Sequence, residues 1–204
     1  MPLPIIDPAN YSAQLDEKLA RFRADFAGLE VPEPEVFASA PLHYRLRAEF
    51  RIWHQDGRLD YAMFDSADPK TPVAVSDFPA AAEPICRVMR PLRERLQASD
   101  ALRRRLFQVE FLSTLSGELM VSLIYHRPLD AQWEAAAREL AAEFGLQLIG
   151  RSRKQKIVLE RDWLLEEFEL DRRVLRYRQI EGSFTQPNGG VNRQMLGWAR
   201  RQAV

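Results

Sequence analysis

Arg45, Arg47 and Arg51 share one alternation of a short segment that ends in Trp53. Planar guanidinium forks match phosphate oxygens, and an indole offers a surface on which a base can stack. The same residues on the outer face of a sheet would equally serve as a solvated charge row, paired with Glu49 and with neighbouring strands. The runs Arg103-Arg104-Arg105 and Arg151-Ser152-Arg153-Lys154-Gln155-Lys156 present the same choice. Each alone reads as a solvated run. Together with Arg127, Arg176 and Arg178 they supply enough local positive charge to hold a folded polyanion such as an RNA.

Other side chains offer less. His43, His54 and His126 lie far apart and show no metal-ligand spacing, and His126 beside Tyr125 reads as a structural group. The single cysteine, Cys86, rules out an internal disulfide and a cysteine-based metal site; it falls within an amphipathic helix and reads as an inert packing residue. Glu166-Glu167 belongs to no recognisable acid-base constellation, and no Ser-His-Asp motif or glycine-rich phosphate loop is present. Phe107 and Phe111, on one strand face with Val109, are expected in the core. By contrast Ser183-Phe184-Thr185-Gln186-Pro187-Asn188-Gly189-Gly190 combines an aromatic ring, an amide, a proline and two glycines in one loop, a composition suited to a shaped contact surface.

The elements that must position these groups follow from periodicity. Leu15, Leu19, Phe22 and Phe26 mark one face of a helix over 11–26, and prolines between Val31 and Pro41 make a linker. Leu46, Ala48, Phe50 and Ile52 alternate with the charged row, giving a strand that Asp56-Gly57 turns back into Leu59–Phe64. A short strand at Val73–Val75 precedes a helix bearing Ile85, Val88, Met89, Leu92 and Leu96, in which Pro91 predicts a kink or two short helices. Ser116-Gly117 joins strands 107–115 and 119–126. Asp130 caps a helix to Phe144 with Trp133, Leu140 and Phe144 inward, stopped by Gly145. Strands 146–149 and 156–160 flank the basic run as a loop, a strand 174–180 leads to the contact loop, and a helix runs from Asn188 to Ala203. Helices interspersed with hairpins, without regular βαβ spacing, predict an α+β fold: an antiparallel sheet of hairpins with packed helices.

The 204 residues are 46% hydrophobic and 28% charged, which fits a globular protein. Lys and Arg (29) balance Asp and Glu (29), so any basic surface has to be local. The start, from Met1 to Asp7, lacks the pattern of a secretory leader, and no apolar run approaches membrane-spanning length. A cytoplasmic setting is the expectation.

Several ordered blocks carry a resemblance that covers essentially the whole chain. They are His43 through His54, Asp77-Phe78-Pro79-Ala80-Ala81, Leu106-Phe107-Gln108-Val109, Ser122 through His126, Leu148-Ile149-Gly150-Arg151, Tyr177-Arg178-Gln179, and Ser183 through Asn188. In these blocks the chain resembles the bacterial tRNA (uracil-5-)-methyltransferases. The resemblance implies formation of 5-methyluridine in the T-loop of tRNA, with S-adenosylmethionine as methyl donor and other RNAs with a T-loop-like hairpin, such as tmRNA, as further partners. Such enzymes attack uracil C6 with a cysteine thiolate, which makes C5 nucleophilic, and a glutamate then removes the C5 proton. The target base has first to be turned out of its stack.

The resemblance also implies residue roles. Gln186 matches a glutamine that helps bind S-adenosylmethionine, and Phe184 lies in the same motif. Arg51, Phe107 and His126 fall in blocks expected to line the RNA side, with Arg45, Arg47, Trp53 and Arg151 as further RNA contacts. Cys86 matches no catalytic residue. The sequence stops before the family's cofactor loop, nucleophilic cysteine and basic glutamate, so the expectation is an RNA-recognition part that binds cofactor poorly and is inactive alone. A stand-alone tRNA-binding module is the alternative. The implied division is an N-terminal helix and linker (1–35), an α+β RNA-binding domain (36–182) and a junction motif with one helix (183–204), without a Rossmann-like methyltransferase domain.

Overall fold

The computed structural model describes residues 6–203; the reading of the start as free of a leader falls partly on residues 1–5, outside the described residues. Helix α1 (Tyr11–Asp25) forms as its periodicity predicts but buries none of its residues, and the exposed Phe22 and Phe26 rings meet at a tilt of 38°, 4.7 Å between centroids. The main body begins with β1 (Arg47–Gln55), β2 (Arg58–Phe64) and β3 (Pro72–Ala74), all antiparallel, with Asp56 and Gly57 both at positive φ in the turn between the first two. Next come α2 (Glu83–Ala98), the short α3 (Asp100–Arg103), and the hairpin β4 (Leu106–Ser113) and β5 (Leu119–Tyr125). Helix α4 (Ala131–Phe144) leads to β6 (Gln147–Ser152) and β7 (Gln155–Val158). A separate hairpin, β8 (Trp163–Leu170) with β9 (Arg173–Ile180), precedes α5 (Gly189–Gln202).

These strands make a seven-stranded sheet in the order β3-β2-β1-β4-β5-β6-β7 and a two-stranded sheet, β8-β9. The fold is α+β and mostly antiparallel, as expected, with one exception. β5 and β6 run parallel, because α4 carries the chain back across the sheet between them and so builds one βαβ crossover that the irregular spacing concealed. One face of the sheet is covered by helices. Phe50, Tyr61, Val109, Phe111, Leu123 and Leu148 pack there against Ile85, Met89, Leu92, Leu96, Trp133 and Leu140.

Pro91 does not divide its helix; α2 runs through from Glu83 to Ala98. Five apolar side chains buried along that helix hold it to the sheet, which outweighs the hydrogen bond a proline removes. Helix α4 is capped at both ends as predicted. The Asp130 carboxylate accepts from the Trp133 N–H at 2.8 Å, and Gly145 takes the left-handed conformation. The basic run expected as a loop is largely strand: Arg151 and Ser152 end β6, Gln155 and Lys156 open β7, and only Arg153-Lys154 turn between them.

Strand β8 went unrecognised in the sequence. Its inward set, Leu164, Glu166 and Phe168, has a carboxylate in the middle, which breaks the apolar alternation. Glu166 is buried because it is a clamp. It accepts hydrogen bonds from Leu115 N at 2.9 Å, Gln179 Nε2 at 2.8 Å and Glu167 N at 3.1 Å, tying the hairpin to the turn between β4 and β5. Glu118 acts from the other side, accepting from Leu165 N and from Arg161, both at 2.6 Å. Leu164 closes a small second cluster with Met120 and Ile149 on the sheet face opposite the helices.

At the end of β9, Glu181 completes the anchorage. One carboxylate oxygen accepts from Arg151 Nε at 2.7 Å and from Ser122 Oγ at 3.3 Å; the other meets Arg151 Nη2 at 2.5 Å and Lys156 Nζ at 3.2 Å. Burial pushes this carboxyl upward, but the bonds from Arg151 and Lys156 outweigh it and hold it below the ordinary glutamate value of 4.5. A carboxyl lowered in the folded state stabilises it above the unfolded pKa, and that contribution is lost as the pH falls through the folded value. In acid-unfolding experiments, Glu181→Gln is therefore expected to lose less stability below about pH 4.5 than the parent chain. Packing gives a second test. A methyl group on Gly150 would meet Trp133 Cζ2 at 2.6 Å and Leu129 Cδ1 at 2.7 Å, so Gly150→Ala should cost about 1–3 kcal/mol in denaturant unfolding.

Candidate nucleic-acid interface

Strand β1 turns Ala48, Phe50 and Ile52 into the core and Glu49, Arg51 and Trp53 out onto the face that the helices leave bare. Across the sheet, β4 should place Phe107 on the core side with Val109 and Phe111. It does not. Pairing with β5 shifts by one residue between Leu106 and Gln108, so Leu106 and Val109 are both buried and Phe107 is turned out between them. There the Phe107 ring lies against two partners: the Arg51 guanidinium carbon sits 4.0 Å from its centroid, and the His126 imidazole stacks at 3.9 Å with 25° between planes.

Phe107 and His126 line a groove of about 1060 Å³ on the bare face, with Arg51 against the Phe107 ring beside it. Ile124 is part of its lining, the Arg153-Lys154 turn stands on its rim, and Arg151 with Glu181 forms the far wall. Arg151 is thus fixed by a two-pronged ion pair, and its guanidinium is held above its ordinary pKa by that bond. Glu110 sits in the same groove, its carboxyl raised by burial and by the nearby Glu49 charge, with Arg47 at 3.9 Å opposing the shift. The surface combines exposed cations with stacked planar groups, which suits a strand of phosphates and bases.

The other sequence-derived candidates lie elsewhere. Trp53 is at the outer side of the face, edge-on to Phe64 at 6.4 Å, with its indole N–H donated to Gln55. Arg45 and Arg47 sit where β1 meets the contact loop: Arg45 Nε donates to the Arg47 carbonyl, and Arg47 Nη1 donates to the Ser183 carbonyl at 3.2 Å. Leu46 N–H donates to the Pro187 carbonyl, and the Asn188 side chain caps α5 by accepting from Val191 N–H. Within that loop Phe184 is 82% exposed and Gln186 is exposed.

Gln186 lies outside the groove lining. S-adenosylmethionine requires an enclosing pocket with several convergent polar groups. One exposed carboxamide outside the grooves among the described residues does not make one.

One residue differs from its expected role. Arg127 is buried, and it donates to the carbonyls of Ala101, Arg104 and Pro128, so it holds a turn together and is no free surface cation. Cys86 lies in the first turn of α2 and is inert there. Its thiol donates to the Ala81 and Phe78 carbonyls at 3.2 and 3.4 Å, and burial together with the Asp77 charge pushes its pKa up, the opposite of what a nucleophile needs. Among the described residues no three His, Cys, Asp or Glu side chains are placed to hold a metal ion, and no helix is long and apolar enough to cross a membrane. The signal that sequence reading missed is the bulge, since alternation counted back from Val109 sends Phe107 inward.

Comparison with known proteins bears on this geometry. The family model described as tRNA (Uracil-5-)-methyltransferase matches residues 10–203. A tRNA/tmRNA (uracil-C(5))-methyltransferase of Azoarcus sp. (strain BH72) is 75% identical over 100% of this chain and 56% of its own length. Proteins of the same description from Aromatoleum aromaticum and Chromohalobacter salexigens are 72% and 52% identical, over 99% and 98% of this chain and 55% of their own lengths. The chain spans about half the length of the curated relatives it matches. With a match across nearly all its residues, it belongs to the tRNA (uracil-5-)-methyltransferase family.

Proposed function

We propose that these residues are the RNA-holding part of an S-adenosylmethionine-dependent enzyme that forms 5-methyluridine in the T-loop of tRNA, and in T-loop-like hairpins of other RNAs such as tmRNA. The observation that carries the reading is the stack of Arg51, Phe107 and His126, of which the last two line a groove that also carries Arg151, Arg153 and Lys154. Exposed on this trio are an imidazole and a guanidinium, two planar groups on which an unstacked base can rest. Each such contact returns part of the energy needed to turn a base out of its loop. In keeping with this reading we divide the chain into a helix and linker (1–35), the RNA-holding domain (36–182) and the junction (183–204), and place its work in the cytoplasm.

Methyl transfer needs more than these residues hold. The reaction requires a thiolate at uracil C6, and the single cysteine here is a hydrogen-bonding thiol with a raised pKa under the first turn of α2. S-adenosylmethionine supplies the methyl group, and Gln186 contributes one contact to it. On this reading the 204 residues alone bind RNA, bind the cofactor weakly, and transfer no methyl group.

Filter binding with a T-arm hairpin tests the assignment. Phe107→Ala is expected to weaken binding by about 1–3 kcal/mol, roughly five- to 150-fold, with the far-ultraviolet circular dichroism unchanged. Arg51→Ala is expected to lower affinity and to reduce the slope of log K against log salt by about 1. An unchanged slope would remove Arg51 from the phosphate contacts.

A further inference from the structure

Beyond His126 the positive charge continues around the strand ends, where β1 turns into β2 and β4 begins. A second cavity, of about 660 Å³, is lined there by Arg58, Arg103, Arg104, Arg105 and Arg127 together with His54. Two of these cations are already engaged. Arg127 is consumed by backbone carbonyls and lies 3.5 Å from Asp130, and Arg103 pairs with Asp100 at 2.6 Å and reaches the Gly57 carbonyl. Asp100 and Asp130 are the carboxylates in the lining, and both are used, Asp130 also as the cap of α4. Arg58, Arg104 and Arg105 are exposed and have no ion-pair partner among the described residues. Three exposed guanidinium groups without an ion-pair partner among the described residues thus line one cavity, where they favour a bound polyanion.

The backbone links this cavity to the groove. Arg105 holds φ at +56°, a left-handed conformation that costs energy for a side chain of this size, and its carbonyl accepts the His126 N–H at 3.0 Å. That bond joins the strained arginine to the backbone of His126, whose imidazole belongs to the trio. Arg127 lines both cavities, so the two are neighbours across one buried side chain.

We propose that the cavity formed by Arg58, Arg104 and Arg105 is a second phosphate-binding site, holding the sugar-phosphate backbone of the RNA where it leaves the groove. The proposal rests on the RNA reading of the groove. The rigid forks suit phosphate oxygens, and no stacked aromatic pair lies in this lining, so the site reads backbone and not base.

The test is a salt series of filter binding with a T-arm hairpin and the full 204-residue chain, comparing the parent, the double variant Arg58→Ala/Arg104→Ala, and Phe107→Ala. Each phosphate left without its guanidinium should lower the slope by about 0.7–0.9, so the double variant is expected to lose about 1.5 and to bind about tenfold more weakly. Phe107→Ala should weaken binding with the slope kept. A parent chain that binds with Phe107 dependence while the double variant keeps the full slope overturns the second site and leaves the groove assignment standing. Failure of the parent to bind overturns both. Phenylglyoxal labelling of the unmutated chain needs no variant: RNA is expected to protect Arg58 and Arg104, and full labelling of both in its presence overturns the proposal.

Discussion

The pairing of β4 with β5 slips by one residue between Leu106 and Gln108, and the open face of the sheet depends on that slip. Without it, strict alternation would place Phe107 among Phe50, Phe111 and Leu123, in a core already filled to near-zero exposure. With it, Leu106 fills the core position, and Phe107 stands beside Arg51 from one neighbouring strand and His126 from the end of the other. The helices make the arrangement consequential. Because α2 and α4 bury one face only, and the β8–β9 hairpin covers Met120, Ser122 and Ile149 on the other, the remainder of that second face stays open to a ligand. The adjacent left-handed Arg105 belongs to the same irregularity, so one local departure from regular geometry positions both the stacked trio and the next cation along the edge.

Two buried carboxylates do the complementary work of fixing the walls. Glu166 satisfies the backbone of the β4–β5 turn, and Glu181 gathers Arg151, Lys156 and Ser122, so that directed bonds tie the β8–β9 hairpin to the sheet beside the Leu164 cluster. Burying charge is unfavourable unless every oxygen is engaged, and in Glu181 both are. The chain passes directly from Glu181 through Gly182 to Ser183, whose carbonyl accepts from Arg47. The groove wall and the loop that carries Phe184 and Gln186 are therefore consecutive in sequence and joined to the same basic strand.

Much of this was legible from residue types. Alternation in β1, the Asp56-Gly57 turn, the Asp130 cap and the Gly145 stop all agree with the fold, because in each a single local preference matches the tertiary demand. Legibility failed where tertiary contacts override local signals. Pro91 sits in an unbroken helix because five buried neighbours hold it, and β8 was hidden because its central inward residue is a glutamate whose partners include Leu115, 51 residues upstream, and Gln179 on the facing strand. The bulge has no sequence signature of its own, so alternation put Phe107 inside. Arg127 and Arg151 illustrate the limit of counting charges. Both are arginines in basic surroundings, yet one is consumed by carbonyls and the other by Glu181, which only distances reveal.

Hydrogen-deuterium exchange of the chain with and without a T-arm hairpin is the most direct test of RNA seating in the groove, since it reports where RNA sits without altering a residue. Slower exchange is predicted at Arg105–Gln108, at His126 and across the Arg151–Gln155 turn, with α1 unchanged. Protection confined to α1 or α5, with the groove exchanging at its free rate, would contradict it.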